Sequence, residues 1–323
     1  MGQTGWDPAN TILVVDLDDT LIRTDSLFEN FWTACSQNWA APLAAAGALP
    51  AGPLAVKQTL ARIAPVDAAL LPYNSQVLQL IRDWRDRGGK VTLATASLQS
   101  IADAVAGHLN LFDEVFGSGD KINLKGRHKA DFLKSRYGEK GFAYIGDSTA
   151  DLAIWNQSGH AVTVTPKKDL RARAETACDS TTHLDTPRRA MRDYVRALRP
   201  HQWLKNVLVF APMLAAHEFT LEAFAMSLLA FTAFSLMASG TYIFNDLLDL
   251  KADRAHPRKR NRPFASGAVP VSHGTFLAPI LILSSLLLAA VGGWWLLAVM
   301  AFYFVASSLY SFKLKRQIGR AHV

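Results

Sequence analysis

Thr11-Ile12-Leu13-Val14-Val15-Asp16-Leu17-Asp18-Asp19-Thr20 is the stretch on which the reading of the first half of the chain turns. Its first five residues are mostly β-branched and end in an acid, the pattern of a short buried strand in a parallel sheet. Asp16 and Asp18 then stand two residues apart at the strand's carboxyl end. Two carboxylates so placed can converge on one ligand in the crevice where α/β sheets bind. One can attack phosphorus while the other handles the leaving-group proton. An Asp after a strand also caps helices, so the surrounding sequence has to decide between the two roles.

Working outward, residues from about 25 to 69 are helix-prone, with an Ala-rich run broken by Pro42, Pro50 and Pro53. A helix over Ser75 to Arg87 stops at Gly88-Gly89, and a second strand follows over Lys90 to Ala94. Helical and strand-like segments then alternate through Tyr144-Ile145-Gly146-Asp147 and His160 to Val164. Such alternation predicts an α/β doubly wound parallel sheet. Thr95 closes the second strand, Lys129 opens a helix, and Asp147 and Asp151 follow a later strand. Together these supply a nucleophile, a hydroxyl and an ammonium for phosphate oxygens, and further carboxylates for Mg²⁺.

The four motifs in this order resemble the haloacid dehalogenase superfamily over about residues 10 to 180. The resemblance implies that Asp16 becomes an aspartyl-phosphate and that Asp18 is the general acid/base, its backbone carbonyl on Mg²⁺. It implies Asp147 as a further metal ligand, Asp151 as ligand or support, and Thr95 and Lys129 as the phosphate-holding pair. Lys125 and Ser97 remain open alternatives for Lys129 and Thr95. Asp19 stands where many members have Gly. An acid at position 18 favours phosphatases acting on a phosphate monoester. Residues 24–75 leave room for a small helical cap, which would close over the site and exclude water. The whole domain is expected over 1–185.

After about Pro200 the apolar runs lengthen. Segments at Trp203 to Ala216, Leu221 to Phe244, Thr275 to Val291 and Trp294 to Phe312 predict an all-α transmembrane domain of four spans over 203–316. A basic interfacial helix or linker over 186–202 precedes it, capped by Thr186 with Pro187 in the first turn and with Met191, Val195 and Leu198 on one face. Arginines crowd this helix. Lys and Arg also fill Lys251 to Arg262 and recur at Lys313, Lys315 and Arg316, which places all these segments on the cytoplasmic side of a bacterial inner membrane. The opening residues lack a signal-peptide pattern, so the first domain is expected on the same side. Cys35 and Cys178 give no disulfide framework or zinc spacing. The net charge of +7 suits anionic lipid and phosphorylated substrates better than nucleic acid.

Asn245-Asp246-Leu247-Leu248-Asp249-Leu250-Lys251-Ala252-Asp253 begins at the end of the second span. On a continuous helix its three Asp residues share a face, and a Mg²⁺-diphosphate would relieve their repulsion. The pattern resembles the first Asp-rich motif of UbiA-type prenyltransferases. With Arg199-Pro200-His201-Gln202-Trp203-Leu204-Lys205-Asn206 and the run from Asp253 to Pro263, it is similar to the decaprenyl-phosphate phosphoribosyltransferase branch. That resemblance implies a phosphoribosyl diphosphate donor and a polyprenyl phosphate acceptor. It also implies Asp246, Asp249 and Asp253 on the metal, and Lys205, Asn206, Asn245, Arg254, His256, Lys259 and Arg262 on substrate. An aromatic prenyltransferase using a prenyl diphosphate, with the first domain a regulatory or tethering module, is the alternative. The family has a second Asp-rich motif that this sequence lacks. Ile318 to Val323 reads as a translated sequencing adapter, so 317–323 are expected to be a non-native tail and the transferase half to be inactive by itself.

Overall fold

Leu13, Val14 and Val15 have no exposed surface because β1 (Ile12–Val15) lies inside a six-stranded sheet of order β3-β2-β1-β4-β5-β6. The other strands are β2 (Val91–Leu98), β3 (Glu114–Ser118), β4 (Phe142–Gly146), β5 (His160–Thr163) and β6 (Thr181–His183). Every pairing is parallel. The computed structural model describes residues 6–119, 124–186 and 190–309. The chain divides near residue 188 into two units.

In the first unit the side chains of β1 alternate between two cores, as strand geometry requires. Leu13 and Val15 pack with Val77, Ile81 and Trp84 of a helix over Ser75–Asp86 and with Ile101 and Val105 of one over Gln99–Leu109. Val14 faces the other way, onto Leu133, Trp155 and Leu170 from helices over Arg127–Tyr137, Leu152–Trp155 and Lys168–Ala177. Both faces of the sheet are covered, which explains the unbroken apolar character of the central strands. β2 runs four residues past the Ala94 end read from sequence, through a register shift between Ala94 and Leu98.

Between β1 and the Ser75–Asp86 helix, three helices form a small insert: α1 (Ser26–Gln37), α2 (Ala41–Ala48) and α3 (Pro53–Ile63). Its base is pinched by an antiparallel bridge between Ile22 and Tyr73. Arg23 N donates to Pro72 O at 2.8 Å and Asn74 N to Leu21 O at 2.9 Å beside it. The later helices are α4 (Ser75–Asp86), α5 (Gln99–Leu109), α6 (Arg127–Tyr137), α7 (Leu152–Trp155) and α8 (Lys168–Ala177).

In the second unit, α9 (Met191–Leu198) begins four residues after Pro187, and Pro187, Arg188 and Arg189 lie outside the described residues. Met191 and Val195 are exposed on it. The first apolar segment departs from expectation. Pro200–Phe210 winds as a 3₁₀ helix and only Ala211–Ala215 (α10) is α-helical. Pro212 has no backbone donor to continue the winding into α10, and no span-length helix forms there. α11 (Leu221–Leu248), α12 (Leu250–Ala255), α13 (Val271–Val291) and α14 (Trp294–Leu309) follow. Two helices, α11 and α13, are long and apolar enough to cross a membrane. Only 22% and 28% of their apolar windows are buried, unlike the core helix of a soluble protein. On α13 the exposed residues Phe276, Ile280, Leu283, Leu287 and Val291 form an outer stripe. α14 spans 16 described residues; Tyr310 to Phe312, the basic residues 313, 315 and 316, and 317–323 lie outside them.

Small residues seat α11 on α13, the usual means of close helix approach in lipid. A Cβ on Gly240 would stand 2.8 Å from Ile282 Cγ1 and 3.0 Å from the Ala278 carbonyl. Ser285 Oγ donates to Ala233 O at 2.7 Å. Gly240→Val should therefore lose about 1–3 kcal/mol by overpacking, read as a lower unfolding midpoint in detergent.

His160 is buried, stacked on Trp6 at 4.1 Å between ring centroids. Its ring nitrogens meet Ser180 Oγ at 2.7 Å and Thr182 Oγ1 at 2.9 Å. Burial pushes its pKa down to about 4. Between that value and an unfolded pKa near 6.5, the unfolded chain binds a proton that the folded chain does not, so acid lowers stability. Between pH 7 and pH 5 the wild type should lose about 1–2 kcal/mol more than His160→Gln, measured by urea unfolding. Equal losses would remove His160 from that role.

Candidate active sites

The order of the sheet reverses between β1 and β4, so Asp16 after β1 and Asp147 after β4 flank the crevice of the switch point. Lys129 on α6 reaches this crevice and its Nζ donates to Asp16 Oδ1 at 2.8 Å. Leu17 N donates to the same oxygen at 2.9 Å. Among the described residues, Asp16 Oδ2 takes no hydrogen bond, which leaves it free to attack. Of the two lysines read as alternatives, Lys129 is the buried one, 3% exposed, and Lys125 is exposed.

Ligand oxygens of Asp16, Asp147 and Asp151 lie within 4.8 Å of one another. Burial and the neighbouring carboxylates push Asp147 up to about 9; burial, opposed by Lys129, pushes Asp16 up to about 6. Oxygen-only donors at this spacing suit a hard divalent cation such as Mg²⁺. The three acids are not equivalent. Asp151 Oδ2 accepts from Asp147 N, Ser148 N and Ser148 Oγ at 2.9–3.1 Å. Its Oδ1 accepts from Tyr144 Oη at 3.0 Å. Asp151 thus holds the loop that presents Asp147, while Thr20 Oγ1 donates to Asp147 Oδ1 at 3.3 Å.

Tyr144 is a site residue that sequence reasoning missed. It is fully buried, and Lys129 Nζ donates to its hydroxyl at 3.0 Å. The phenol therefore couples the lysine to Asp151. In a strand of apolar residues a Tyr reads as core, and nothing local marks its role.

Asp18 sits in a turn over Leu17–Leu21. Its Oδ1 accepts from Ser26 N at 2.7 Å and its Oδ2 from Ser97 Oγ at 2.5 Å. Ser97 N in turn donates to Thr95 Oγ1 at 3.0 Å. The two hydroxyls read as alternatives take different tasks: Ser97 holds the Asp18 carboxylate, and Thr95 remains able to donate its own proton to a ligand.

In the second unit the Asp-rich stretch passes from one helix to the next at Asp249, with Asp249 N bonded to Asn245 O at 3.0 Å and Asp253 N to Asp249 O at 2.8 Å across the junction. α11 ends at Leu248, Asp249 is the junction with φ −94° and ψ 6°, and α12 begins at Leu250. Among the described residues Asp246, Asp249 and Asp253 do not gather as a three-ligand group. Guanidiniums stand where a cation was expected. Arg199 Nη2 donates to both oxygens of Asp246 at 2.6 and 2.9 Å. Arg262 Nη1 bridges Asp246 at 3.0 Å and Asp253 at 2.7 Å. As arranged, Asp246 and Asp253 are paired with arginines.

A cavity of about 220 Å³ opens beside them, lined by Arg196, Arg199, His201, Arg258 and Arg262 with Asp246. Of the other residues expected on substrate, Arg254 Nε is bonded to Ala265 O at 2.9 Å. Asn206 Nδ2 packs on Ser235 Oγ at 3.1 Å, and Lys205 and His256 are exposed. Lys259 is half-buried and Asn245 Oδ1 is buried without a partner in the described residues. Arg196, Arg199, His201 and Arg258 were not singled out for this site, since their meeting depends on how α9 and the 256–263 loop pack.

Residues 13–154 match the haloacid dehalogenase-like hydrolases and residues 206–322 match the UbiA prenyltransferase family. The chain joins a haloacid dehalogenase-like domain to a UbiA-type segment. A protein of Sinorhizobium fredii, "Uncharacterized protein y4nM", is 40% identical over 94% of this chain and 59% of its own length. A decaprenyl-phosphate phosphoribosyltransferase of Mycolicibacterium smegmatis is 41% identical over 41% of this chain and 43% of its own. The chain thus spans about half the length of these relatives. A solved substrate-bound phosphoserine phosphatase complex overlaps 53% of this chain and 92% of its own at 12% identity, with a TM-score of 0.36.

Asp19, at the position many haloacid dehalogenase-like domains give to Gly, has φ +53°. Asp tolerates this left-handed conformation better than a β-branched residue does. Asp19→Val should be about 1–2 kcal/mol less stable than Asp19→Gly, measured by chemical denaturation of the two variants.

Proposed function

We propose that the haloacid dehalogenase-like domain hydrolyses a phosphate monoester through a phosphoaspartate on Asp16. The observation that carries this is the crevice in which Asp16, with Oδ2 free, sits between Lys129 and Asp147. Oδ2 attacks phosphorus, and the bond to the leaving alcohol breaks as that oxygen takes a proton from Asp18. Water then attacks the same phosphorus, gives a proton to Asp18 and releases phosphate and the free Asp16 carboxylate. Lys129 and Thr95 hold the phosphate oxygens throughout. Asp16, Asp147 and the Asp18 carbonyl would hold Mg²⁺, which would supply charge neutralisation on those oxygens. Asp151 and Tyr144 keep Asp147 and Lys129 in register.

The UbiA-type segment is read as part of a transferase that moves phosphoribose from phosphoribosyl diphosphate to a polyprenyl phosphate. The name of the mycolicibacterial relative supports this, and so does the cationic cavity at the end of α11. The Lys and Arg distribution supports a multi-pass protein of the bacterial inner membrane with the hydrolase on the cytoplasmic side. Phosphoribosyl transfer leaves a 5-phosphate on the lipid-linked sugar. A phosphatase tethered to the same face meets that product at an effective concentration of about millimolar. The hydrolase substrate is accordingly the polyprenyl-phosphoryl-ribose 5-phosphate.

Two measurements test the reading. With Mg²⁺, the protein should hydrolyse an aryl phosphate, and Asp16→Asn should lower turnover at least about a thousandfold, since an amide is no nucleophile. Retained turnover in that variant would remove Asp16 from the mechanism. Supplied with the lipid-linked ribose 5-phosphate in detergent, the wild type should release phosphate and Asp16→Asn should not. If the wild type cleaves aryl phosphate but leaves the lipid intact, the substrate assignment is wrong and the chemistry stands.

A further inference from the structure

Lys57 is a cation on the wrong face of its helix. α3 turns its apolar stripe inward: Leu54 and Ala61 pack on the core, Leu60 is 1% exposed and Ala64 is buried. Lys57 is three residues from Leu54 and Leu60 and four from Ala61, so it shares that inward stripe. Its Nζ donates to the Ala96 carbonyl at 2.9 Å. Among the described residues it forms no ion pair. A partly buried ammonium facing a neutral carbonyl is an incompletely compensated charge, and such charges are stabilised by an anion brought to them.

Ala96 fixes which side of the crevice Lys57 serves. It lies between Thr95 and Ser97, and Ser97 Oγ holds Asp18 at 2.5 Å. Asp18 is the group that passes its proton to the leaving oxygen, so the leaving alcohol lies on this side. The phosphoryl group itself belongs to Lys129 and Thr95. Asp25, half-buried and close enough to Asp18 for the two carboxylates to repel, makes the rest of that wall acidic, so Lys57 supplies a local positive point there.

Resting on the hydrolase reading above, we infer that Lys57 is a specificity-determining residue that binds a second negative charge carried by the leaving alcohol. The preferred substrate class is then a phosphate monoester whose alcohol also bears a carboxylate or phosphate group. A lipid-linked ribose 5-phosphate, with its phosphodiester, falls in this class, and a neutral alcohol phosphate does not.

The test uses the full chain in detergent with Mg²⁺ and phosphate esters of a three-carbon alcohol ending in a hydroxyl, a carboxylate or a second phosphate. Wild type should favour at least one charged ester over the neutral one in kcat/KM by about tenfold to a hundredfold. Lys57→Met should bring that ratio close to one, chiefly by raising KM for the charged ester. Lys57→Arg should retain most of it, and unfolding midpoints should confirm that both variants fold. A wild type without the preference, or a Lys57→Met variant that keeps it, overturns the inference and marks the contact to Ala96 as a structural latch. Hydrolysis of these esters by Asp16→Asn would instead overturn the underlying hydrolase reading.

Discussion

Asp16, Asp147 and Asp151 bring oxygens within 4.8 Å of one another in a partly buried crevice. At that distance two unit charges repel by about 3 kcal/mol at an effective dielectric near 20. Lys129 offsets part of this on Asp16, and the backbone of Asp147 and Ser148 offsets part on Asp151. Asp147 has only a long hydrogen bond from Thr20, and it is the acid whose carboxyl is pushed furthest, to about 9. Ionising the whole cluster is thus unfavourable, and a divalent cation that let Asp147 give up its proton would relieve the repulsion. A set of acids that satisfied one another completely would have no affinity left for such an ion.

The sheet order makes this cluster possible. β1 and β4 are sequence-distant but paired, Ile12 to Val15 against Phe142 to Ile145, and loops leaving their ends diverge to opposite sides. Asp16 and Asp147 can thus approach without their backbones competing for space. On the other flank, the register shift in β2 between Ala94 and Leu98 lets Thr95, Ala96 and Ser97 all present groups toward the crevice. Within this stretch Ala96 O accepts from Lys57 of the insert and Ser97 Oγ donates to Asp18.

What was legible in the sequence follows from locality. The run from Thr11 to Val15, the acids at 16 and 18, and the Gly-Asp pair at 146–147 are local patterns, and their order is sufficient to place them on one sheet. Tyr144 was illegible because its value lies in joining Lys129 to Asp151, a relation visible only when strand and helix pack. The same holds for Arg199 and Arg262, which reach Asp246 from 47 and 16 residues away. Helical periodicity placed Asp246, Asp249 and Asp253 on one face, but it could not show that Arg262 bridges Asp246 and Asp253. The first apolar segment likewise winds as 3₁₀ helix up to Phe210 in place of an expected span.

The two acid clusters of this chain end with opposite electrostatic demands. In the hydrolase crevice three aspartates face one lysine, so the balance favours a cation. At the end of α11, Asp246 and Asp253 are matched by Arg199 and Arg262, and the adjoining cavity adds Arg196, Arg258 and His201. Its balance is positive, which favours an anion over a metal ion. An aspartate-rich sequence alone therefore does not say whether a site recruits metal or phosphate; the count of cations folded against it does. Here the same residue type is used once to create an excess of negative charge and once to hold arginines in position, where their remaining donors line a cavity suited to phosphate oxygens.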